Sequence, residues 1–360
     1  VLGAARHVPF SVIAPLRSNP DLRAKLDVVG LASLQYPEAE VRARAWDILK
    51  AYTTFEEMLA DPNIDAIYNV LPTAVRGHWT VRALLAGKHV LSETPVGSNA
   101  HEALLAQRAA EDTGRVLLEG THPTCHPVTK RVREMVLQGK IGRLEHVDLN
   151  LGISHALQGR MVCSKTGALM SLGCHGIAIV RTLTGEQPRV LSATARPSKE
   201  NPKVDAVMSC SLKTPSGASA HIGCTISEAS AGEPTMFTIS GSEGCIRVKE
   251  WFTGRGRSSN EIELRNFAGC GDSFVERMQI SPSKDTYYFQ WLAFVDEVRD
   301  QERRKEDVGL PWSYIKSQGP GDAVLNLSVI DAIYRVAGMR PWPTTAPPPE
   351  PYSRLGQSKL

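Results

Sequence analysis

The 360-residue chain lacks any apolar run close to the roughly 18 residues that a membrane-spanning helix requires. It also lacks a strong charge of either sign, since 41 basic residues face 38 acidic ones and leave a formal charge of +3. That balance argues against a nucleic-acid or anionic-membrane partner. The opening segment, VLGAARHVPF, has neither the basic start nor the apolar core of a secretory signal. We therefore expect a cytoplasmic protein that binds a small molecule, and Val1-Leu2-Gly3 suggests that the chain begins inside a strand.

Cysteine pairs are also missing. The seven cysteines are odd in number and scattered, and no two are spaced as CxxC. Structural zinc sites and disulfide frameworks both require regularly spaced cysteines. We therefore predict reduced thiols in a reducing compartment and no metal site.

Strand-like and helix-like segments alternate through the first third of the chain. Apolar runs typical of buried parallel strands lie at 26–33, 64–72, 88–95 and 114–123. Helical patterns separate them, at 37–52, 53–63, 74–87 and 99–114. Units of this length predict an α/β domain with a doubly wound parallel sheet, which binds its ligand at the carboxyl ends of the strands. We place this domain at residues 1–122.

The pattern changes near residue 143. Strand-like runs joined by Gly, Ser and Pro turns follow, with helices at about 168–184, 286–302 and 320–337. They predict an α+β domain with a large, open, mostly antiparallel sheet over residues 123–340. The last segment, 341–360, is proline-rich and is predicted to be an extended tail.

Several stretches in this order resemble the Gfo/Idh/MocA oxidoreductases, in the branch of the dimeric dihydrodiol and NADP-dependent xylose dehydrogenases. The stretches that carry the resemblance are LGAARHV at 2–8, the long block at 52–95, GALMSLGCHGIAIVRTLTGEQP at 167–188, DAVMSCSLKTPSGA at 205–218, ISGSEGCIRV at 239–248 and LSVIDAIYRVAG at 327–338. The resemblance implies a Rossmann dinucleotide-binding domain. It further implies a C-terminal α/β domain whose sheet forms the substrate cleft and joins copies into a homodimer or higher homo-oligomer.

The resemblance also implies where a dinucleotide such as NADP would bind. The pyrophosphate turn is Gly3-Ala4-Ala5-Arg6-His7-Val8, which retains only the first glycine of G-x-G-x-x-G. Where NADP-dependent relatives carry Ser-Arg for the 2′-phosphate, this chain has Ser33-Leu34. The remaining implied cofactor contacts are Leu71, Pro72 and Glu93.

Four positions implied to carry acid–base or anion-binding roles depart from the family pattern. The Glu-Lys-Pro motif is Glu93-Thr94-Pro95, and threonine cannot hold a charge or transfer a proton at neutral pH. The D-x-G-x-H motif is Ser171-Leu172-Gly173-Cys174-His175. Thr124 stands where an arginine precedes His126-Pro127 in many relatives, and the phosphate turn is the fourth departure.

These departures support a specific hypothesis about function. The candidate catalytic residues are His175, Thr94, Glu93, His126 and Ser171, and the candidate pocket residues are Tyr68, His122, Thr124 and Cys174. We expect a repurposed, non-redox enzyme that needs no cofactor and isomerises, cyclises (even by a pericyclic route) or cleaves a small, fairly apolar biosynthetic intermediate. The alternative is an NADP(H)-dependent dehydrogenase or reductase of a diol, aldose or carbonyl compound. A third hypothesis is a non-catalytic binding protein.

Overall fold

The computed structural model describes residues 1–154, 166–227, 236–249, 259–267, 273–279, 283–306 and 320–344. The chain divides into two compact units. Unit 1 comprises residues 1–120, 290–327 and 342–360, and unit 2 comprises residues 121–289 and 328–341. Unit 1 thus includes later segments that the sequence analysis assigned to the second domain and the tail. Most of the tail, 345–360, lies outside the described residues.

Unit 1 is built on parallel strands, and residue Leu2 joins them into one sheet. The strands are β1 (Gly30–Ala32), β2 (Lys50–Tyr52), β3 (Ala66–Asn69), β4 (His89–Ser92) and β5 (Leu117–Glu119), with β1 paired to β2 and β4 between β3 and β5. Leu2 bridges Ala32 and Asn69 in parallel fashion. Its N–H donates to the Tyr68 carbonyl at 2.8 Å, and its carbonyl accepts from the Val70 N–H at 2.9 Å. The order β2–β1–Leu2–β3–β4–β5 is the predicted Rossmann arrangement.

Helices connect these strands. They are α1 (Ala14–Ser18), which continues a π-helical turn at Pro9–Ile13, α2 (Pro20–Arg23), α3 (Tyr36–Ala45), α4 (Phe55–Ala60), α5 (Thr73–Leu85) and α6 (Ala100–Thr113). Thr54 caps α4, because its Oγ1 accepts from the Glu57 N–H at 3.0 Å. Asn99 caps α6 in the same way, accepting from the Glu102 N–H at 3.0 Å.

The helix predicted over 37–52 is too long. It ends at Ala45, Asp47 adopts a left-handed φ of 54°, and residues 50–52 form β2 instead. The local helical pattern of this segment is overridden because its last residues pair with Gly30–Ala32. Tertiary pairing therefore decides where this element stops.

Unit 2 contains an eight-stranded sheet. Its strands are β6 (Leu144–Ser154), β7 (Arg189–Pro197), β8 (Asp205–Lys213), β9 (Ser219–Ser227), β10 (Met236–Gly241), β11 (Gly244–Lys249), β12 (Ser259–Asn266) and β13 (Phe274–Gln279). The spatial order is β13–β12–β11–β10–β6–β9–β8–β7. All pairs are antiparallel except β6 with β9, so the predicted antiparallel sheet is mixed at its centre.

Five helices complete the described fold. They are α7 (His122–Cys125), α8 (Pro127–Leu137), α9 (Cys174–Thr184), which continues a π-helical turn at Leu169–Gly173, α10 (Thr286–Glu306) and α11 (Pro320–Val336). In α9 nine residues are buried, among them Cys174, His175 and Ile177. Inward residues of the sheet such as Leu149, Ile222 and Phe237 are also fully buried, so unit 2 has its own apolar core.

Membrane spans and metal clusters are both absent from the described ranges. No helix within them combines the length and hydropathy that crossing a bilayer requires. No group of three or more His, Cys, Asp or Glu side chains within them is arranged to hold a metal ion. The five cysteines that the structure describes form no disulfide.

Leu2, through its two bridges, forms a one-residue central strand between β1 and β3. Gly3 ends this central strand in a conformation that other residues rarely adopt. Its φ is +108°, and a Cβ placed there would lie 3.0 Å from Val70 Cγ2 and 3.2 Å from the Leu71 backbone nitrogen. The strand-to-helix turn therefore requires glycine for its backbone angle and for its close contact with the chain after β3.

We expect Gly3→Ala to destabilise the protein by about 3 kcal/mol, because it combines left-handed strain with overpacking. The matched control is Gly217→Ala, since Gly217 has a φ of +95° but no heavy atom lies within 4 Å of the place that an added methyl group would take. Gly217→Ala should lower the free energy of unfolding by about 1 kcal/mol. Urea unfolding of both variants measures the difference, and equal losses would show that the contact with Leu71 is unimportant.

Candidate active site

A buried carboxylate lies at the carboxyl edge of the parallel sheet. Glu93 follows β4 directly and is 9% exposed. Its Oε1 accepts a short hydrogen bond from the Tyr68 hydroxyl on β3. His7 Nε2, from the turn after the central strand, lies 3.4 Å from the same oxygen, an ion-pair distance when the imidazole is protonated. Three neighbouring segments of unit 1 thus converge on one carboxylate.

The surroundings of Glu93 keep it ionised. Burial alone would raise its pKa, but the hydrogen bond and charge of His7, the Tyr68 hydroxyl and the Arg76 guanidinium outweigh burial and hold the pKa well below its usual range. Glu93 is therefore a fixed negative charge rather than a proton donor. Strongly shifted carboxyl groups of this kind are concentrated at functional sites.

Arg76 fixes the loops on both sides of Glu93. It projects from α5 and is 7% exposed. Its Nε donates to the Leu71 carbonyl at 2.9 Å, and its Nη1 donates to the carbonyls of Glu93 at 3.3 Å and Pro95 at 2.6 Å. The Thr94–Pro95 peptide bond is cis. The planar guanidinium therefore ties the end of β3 to the end of β4.

The turn from Gly3 to Val8 occupies the place of a pyrophosphate-binding loop. Gly3 is buried, Ala5 is half-buried and Arg6 is exposed. The Val8 N–H donates to the Ala5 carbonyl at 3.1 Å, and a helical turn begins at Pro9. A tight turn required by Gly3, followed by a cation and a helical start, fits an anionic pyrophosphate.

The position beyond β1 is polar and acidic rather than basic. Ser33 Oγ donates to Glu38 Oε2 at 3.0 Å, and Arg42 Nε donates to Glu38 Oε1 at 3.1 Å. Leu34 is largely exposed and brings no charge. This set fits a ribose diol, whose hydroxyls can donate to a carboxylate, and it leaves Arg42 as the nearby cation for a 2′-phosphate.

The other implied cofactor contacts lie at the same edge. The Leu71 N–H donates to Asn69 Oδ1 at 3.2 Å, and the exposed Pro72 caps α5. Thr94 is half-buried beside Glu93. Tyr68, which the sequence analysis placed in the substrate pocket, belongs with Glu93 in unit 1.

A second cluster of ring side chains lies in unit 2. His122 Nδ1 is 2.8 Å from Thr286 Oγ1, and the His122 ring stacks on Tyr287 with centroids 4.4 Å apart. The His175 ring lies 4.9 Å from the His122 ring. Both histidines are almost fully buried. The structure thus brings together two of the predicted site residues, His122 and His175.

Ser171 and Cys174 lie on the turn that leads into α9. Ser171 Oγ is 2.8 Å from Thr166 Oγ1, and the Cys174 side chain is buried at the helix start. Asp205 on β8 holds this turn, since its Oδ2 accepts from the Leu169 N–H at 2.7 Å and its Oδ1 accepts from the Tyr334 hydroxyl at 2.9 Å. Burial raises the pKa of Asp205 to about 6, and these hydrogen bonds only partly oppose that rise.

His126 and Thr124 serve the local backbone. His126 Nδ1 accepts from the Val128 N–H at 3.3 Å and so caps α8. Burial lowers the pKa of His126 to about 4, which keeps the ring neutral at pH 7. Thr124 Oγ1 donates to the Thr121 carbonyl at 2.8 Å. His126 thus caps a helix, and its ring also packs edge-on against Phe289 with centroids 5.2 Å apart.

Sequence reasoning missed five residues that organise these clusters: His7, Arg76, Asp205, Thr286 and Tyr287. A charged residue on the buried face of a helix was one available signal, and Arg76 fits it, since α5 also buries Thr80, Val81 and Leu84. His7 lies in the turn from Gly3 to Val8. A titratable residue at that position, where an apolar residue would be ordinary, was a second available signal. No local pattern marks Asp205, Thr286 or Tyr287.

A Rossmann sheet with a glycine turn after its first strand, joined in one chain to a large mixed sheet, defines a two-domain dinucleotide-binding protein. Two family models agree with this class: the NAD-binding Rossmann fold of the oxidoreductase family matches residues 4–121, and the GFO/IDH/MocA C-terminal domain matches residues 129–247. The chain belongs to the Gfo/Idh/MocA family.

Its relatives extend over most of the chain. It is 30% identical over 348 residues to D-xylose 1-dehydrogenase (NADP(+)) 2 of Haloferax volcanii, covering 94% of this chain and 96% of that protein. It is 29% identical over 226 residues to mouse trans-1,2-dihydrobenzene-1,2-diol dehydrogenase, covering 62% of this chain and 66% of that one. The fold is similar to that of KijD10, a 3-ketoreductase from Actinomadura kijaniata in complex with NADP and TDP-benzene, with a TM-score of 0.78, 21% identity and coverage of 94% and 96%.

The leading hypothesis of a non-redox isomerase, cyclase, pericyclase or lyase is wrong. The relatives are dehydrogenases, and they favour the alternative, a dinucleotide-dependent dehydrogenase or reductase. The expectation that no cofactor is required is likewise unsupported, because an NAD-binding domain is matched. Losing one acid–base group typically lowers a rate by about 10²- to 10⁴-fold, so Thr94 was weak evidence for a change of reaction.

We expect Arg76→Lys to destabilise unit 1 by about 2–3 kcal/mol, since one ammonium group cannot replace a planar fork bonded to three buried carbonyls. Arg82→Lys, on the same helix, is the matched control, because Arg82 pairs with Glu56 at a partly exposed site and should cost less than about 0.5 kcal/mol. Chemical unfolding of both variants checks the contrast. Equal stability would mean that Arg76 is not needed to hold the loops.

We expect the stability difference between Asp205→Asn and the wild type to depend on pH. A raised pKa means that the protonated Asp205 carboxyl favours the folded state, so its contribution is complete below about pH 4 and is lost as pH rises through about 6. Relative to the wild type, Asp205→Asn should therefore gain about 2–3 kcal/mol between pH 4 and pH 7. Urea unfolding at both pH values measures this gain. The exposed Asp112→Asn is the control, and a gain of the same size there would contradict the assignment.

Proposed function

We propose that the protein is an NAD(P)(H)-dependent oxidoreductase that interconverts a hydroxyl and a carbonyl group on a small polyol, diol or carbonyl compound. The observation that carries this proposal is the buried Glu93 carboxylate, held by Tyr68, His7 and Arg76 at the carboxyl edge of a Rossmann sheet. The near full-length similarity to a D-xylose dehydrogenase supports the substrate class. Neutral, hydroxyl-rich substrates also suit the cluster of His122, His175 and Thr286, which carries no permanent charge.

The chain offers a contact for each part of the dinucleotide. The turn from Gly3 to Arg6 would hold the pyrophosphate. Ser33 and Glu38 would hold the adenosine ribose, and the Leu71-Pro72 loop would lie against the remainder of the dinucleotide. The nicotinamide ring, when bound, supplies or accepts a hydride. Side chains of this protein have the two remaining tasks, which are to orient the substrate and to hold a proton for the substrate oxygen.

His7 is our candidate for the proton-transferring role that Thr94 cannot perform. Its Nε2 faces the ionised Glu93, which favours a hydrogen on that nitrogen and leaves Nδ1 as the base or, when protonated, the acid. A carboxylate that orients a histidine in this way also stabilises the imidazolium that forms. The His7 side chain is 23% exposed, so it is not sealed from a ligand. Thr94 contributes a hydroxyl hydrogen bond.

In unit 2 we assign substrate orientation to His175 and His122. The Thr286 hydroxyl fixes the His122 ring at Nδ1, and Tyr287 supports it by stacking. Histidine side chains held in one orientation can donate to or accept from a substrate hydroxyl with little entropy cost. Asp205 is a positioning residue, because it holds the turn from which α9 and His175 follow.

Binding and turnover test the proposal directly. We expect NAD(H) or NADP(H) to bind, seen as a change in nicotinamide fluorescence, and to support oxidation of D-xylose or trans-dihydrodiols or reduction of small dicarbonyls. Absence of binding by all four dinucleotides would overturn it. Binding without turnover of any substrate would contradict the proposed reaction and favour a binding protein.

Variants at His7 and Thr94 test the proton-transferring role. His7→Gln should lower kcat about 10²-fold or more while leaving dinucleotide Kd within a few-fold. Thr94→Lys in the His7→Gln background should restore part of kcat by supplying a titratable ammonium group. His78→Gln, a half-buried histidine on α5, is the control and should leave kcat unchanged. An unaltered kcat in His7→Gln would exclude His7 from proton transfer.

A further inference from the structure

A cavity in unit 1 lies at the opposite edge of the Rossmann sheet from Glu93. It has a volume of about 540 Å³ and is formed by the segments that precede β3, β4 and β5, together with α10. The residues that matter for its chemistry are Lys25, Lys88, His89, Arg115, Phe294 and Arg299. Because it borders the amino ends of the strands, β4 separates it from Glu93 by about 13 Å at about 3.3 Å per residue. It is therefore distinct from the candidate active site.

The charge of this cavity is strongly one-sided. Four permanently cationic side chains line it, from Lys25, Lys88, Arg115 and Arg299, against the single carboxylate of Asp65. Lys88 is buried, and its Nζ donates to the Asp61 carbonyl at 2.8 Å, so its charge is held in place without a carboxylate partner in that bond. Concave surfaces of one sign concentrate ligands of the opposite sign.

The contact between Arg115 and His89 indicates where an anion would be held. The buried His89 accepts the Val116 N–H at Nδ1 over 3.1 Å, and a neutral imidazole has only one such acceptor nitrogen. Arg115 Nη1 lies 3.3 Å from His89 Nε2, and this contact holds the guanidinium at the cavity wall. The guanidinium has several N–H donors, so it can also donate to a phosphate or carboxylate oxygen.

One wall of the cavity is apolar. Leu26, Ile64, Phe294, Val295 and Val298 contribute to it, and Phe294 is almost fully buried. A bare inorganic anion would leave this wall in contact with water. The combination of a cationic end, an apolar wall and a volume within the usual range of small-molecule sites matches a ligand that carries both a charge and a carbon skeleton.

We propose that this cavity binds a small organic phosphate monoester, with the phosphate on Arg115 and the carbon skeleton against Leu26 and Val298. A dianion matches the excess of cations better than a single carboxylate does. The proposal does not depend on the redox function, because none of these residues takes part in the site at Glu93.

Isothermal titration with phenyl phosphate tests the proposal on the full chain, with and without saturating NADPH. We expect phenyl phosphate to bind at least tenfold more tightly than inorganic phosphate or benzoate, and benzyl alcohol not to bind. Arg115→Gln and Val298→Glu should each weaken phenyl phosphate at least tenfold, the second by placing a negative charge on the apolar wall. Arg44→Gln, an exposed residue paired with Glu40, is the matched control.

Three results would overturn the proposal. One is unchanged phenyl phosphate binding in both Arg115→Gln and Val298→Glu, with native circular dichroism confirming that they fold. Another is displacement of phenyl phosphate by NADPH, which would place the anion in the dinucleotide site. The third is equal affinity for benzoate and phenyl phosphate, which would show a carboxylate site. If one variant does not fold, the other decides, because the two residues lie on different segments.

Discussion

The ionised, buried carboxylate of Glu93 is the constraint on which unit 1 depends. A carboxylate out of water costs several kcal/mol unless charges and hydrogen bonds offset that cost. Here Tyr68 on β3, His7 after the central strand and Arg76 on α5 supply the compensation. Because these groups come from different segments, the charge at the end of β4 is stable only when the whole carboxyl edge of the sheet is assembled.

Hydrogen bonds to the backbone also hold this edge of the sheet together. Arg76 donates to the backbone carbonyls of Leu71, Glu93 and Pro95, on both sides of position 94. Under the proposed function, His7 would take the proton-transferring role that Thr94 cannot perform, because its Nε2 faces the fixed charge of Glu93. The hypothesis of a non-redox enzyme rested on four departures from the family pattern, and the similarity to dehydrogenases contradicts it.

Unit 2 uses a buried acid differently. Asp205 accepts from a backbone N–H and a tyrosine hydroxyl, with no cation to offset burial, and its pKa therefore rises where that of Glu93 falls. The two carboxyl groups show that burial alone does not set protonation. The hydrogen-bond partners decide the protonation state. Charged donors favour the carboxylate form of Glu93, whereas the neutral donors around Asp205 leave its pKa at about 6.

The sequence by itself determined the elements whose signals are local: the alternating strands and helices of residues 1–122 and the sheet that follows. It also located Glu93, Thr94 and His175, because they lie in or beside recognisable motifs. Three features were decided only by the tertiary structure. Helix α3 ends at Ala45, β6 and β9 pair in parallel, and His7, Tyr68 and Arg76 lie around Glu93. Strand pairing and backbone carbonyl partners leave no mark in neighbouring residues, since every residue carries the same backbone groups. Those features are decided by which distant segments the folded chain brings together.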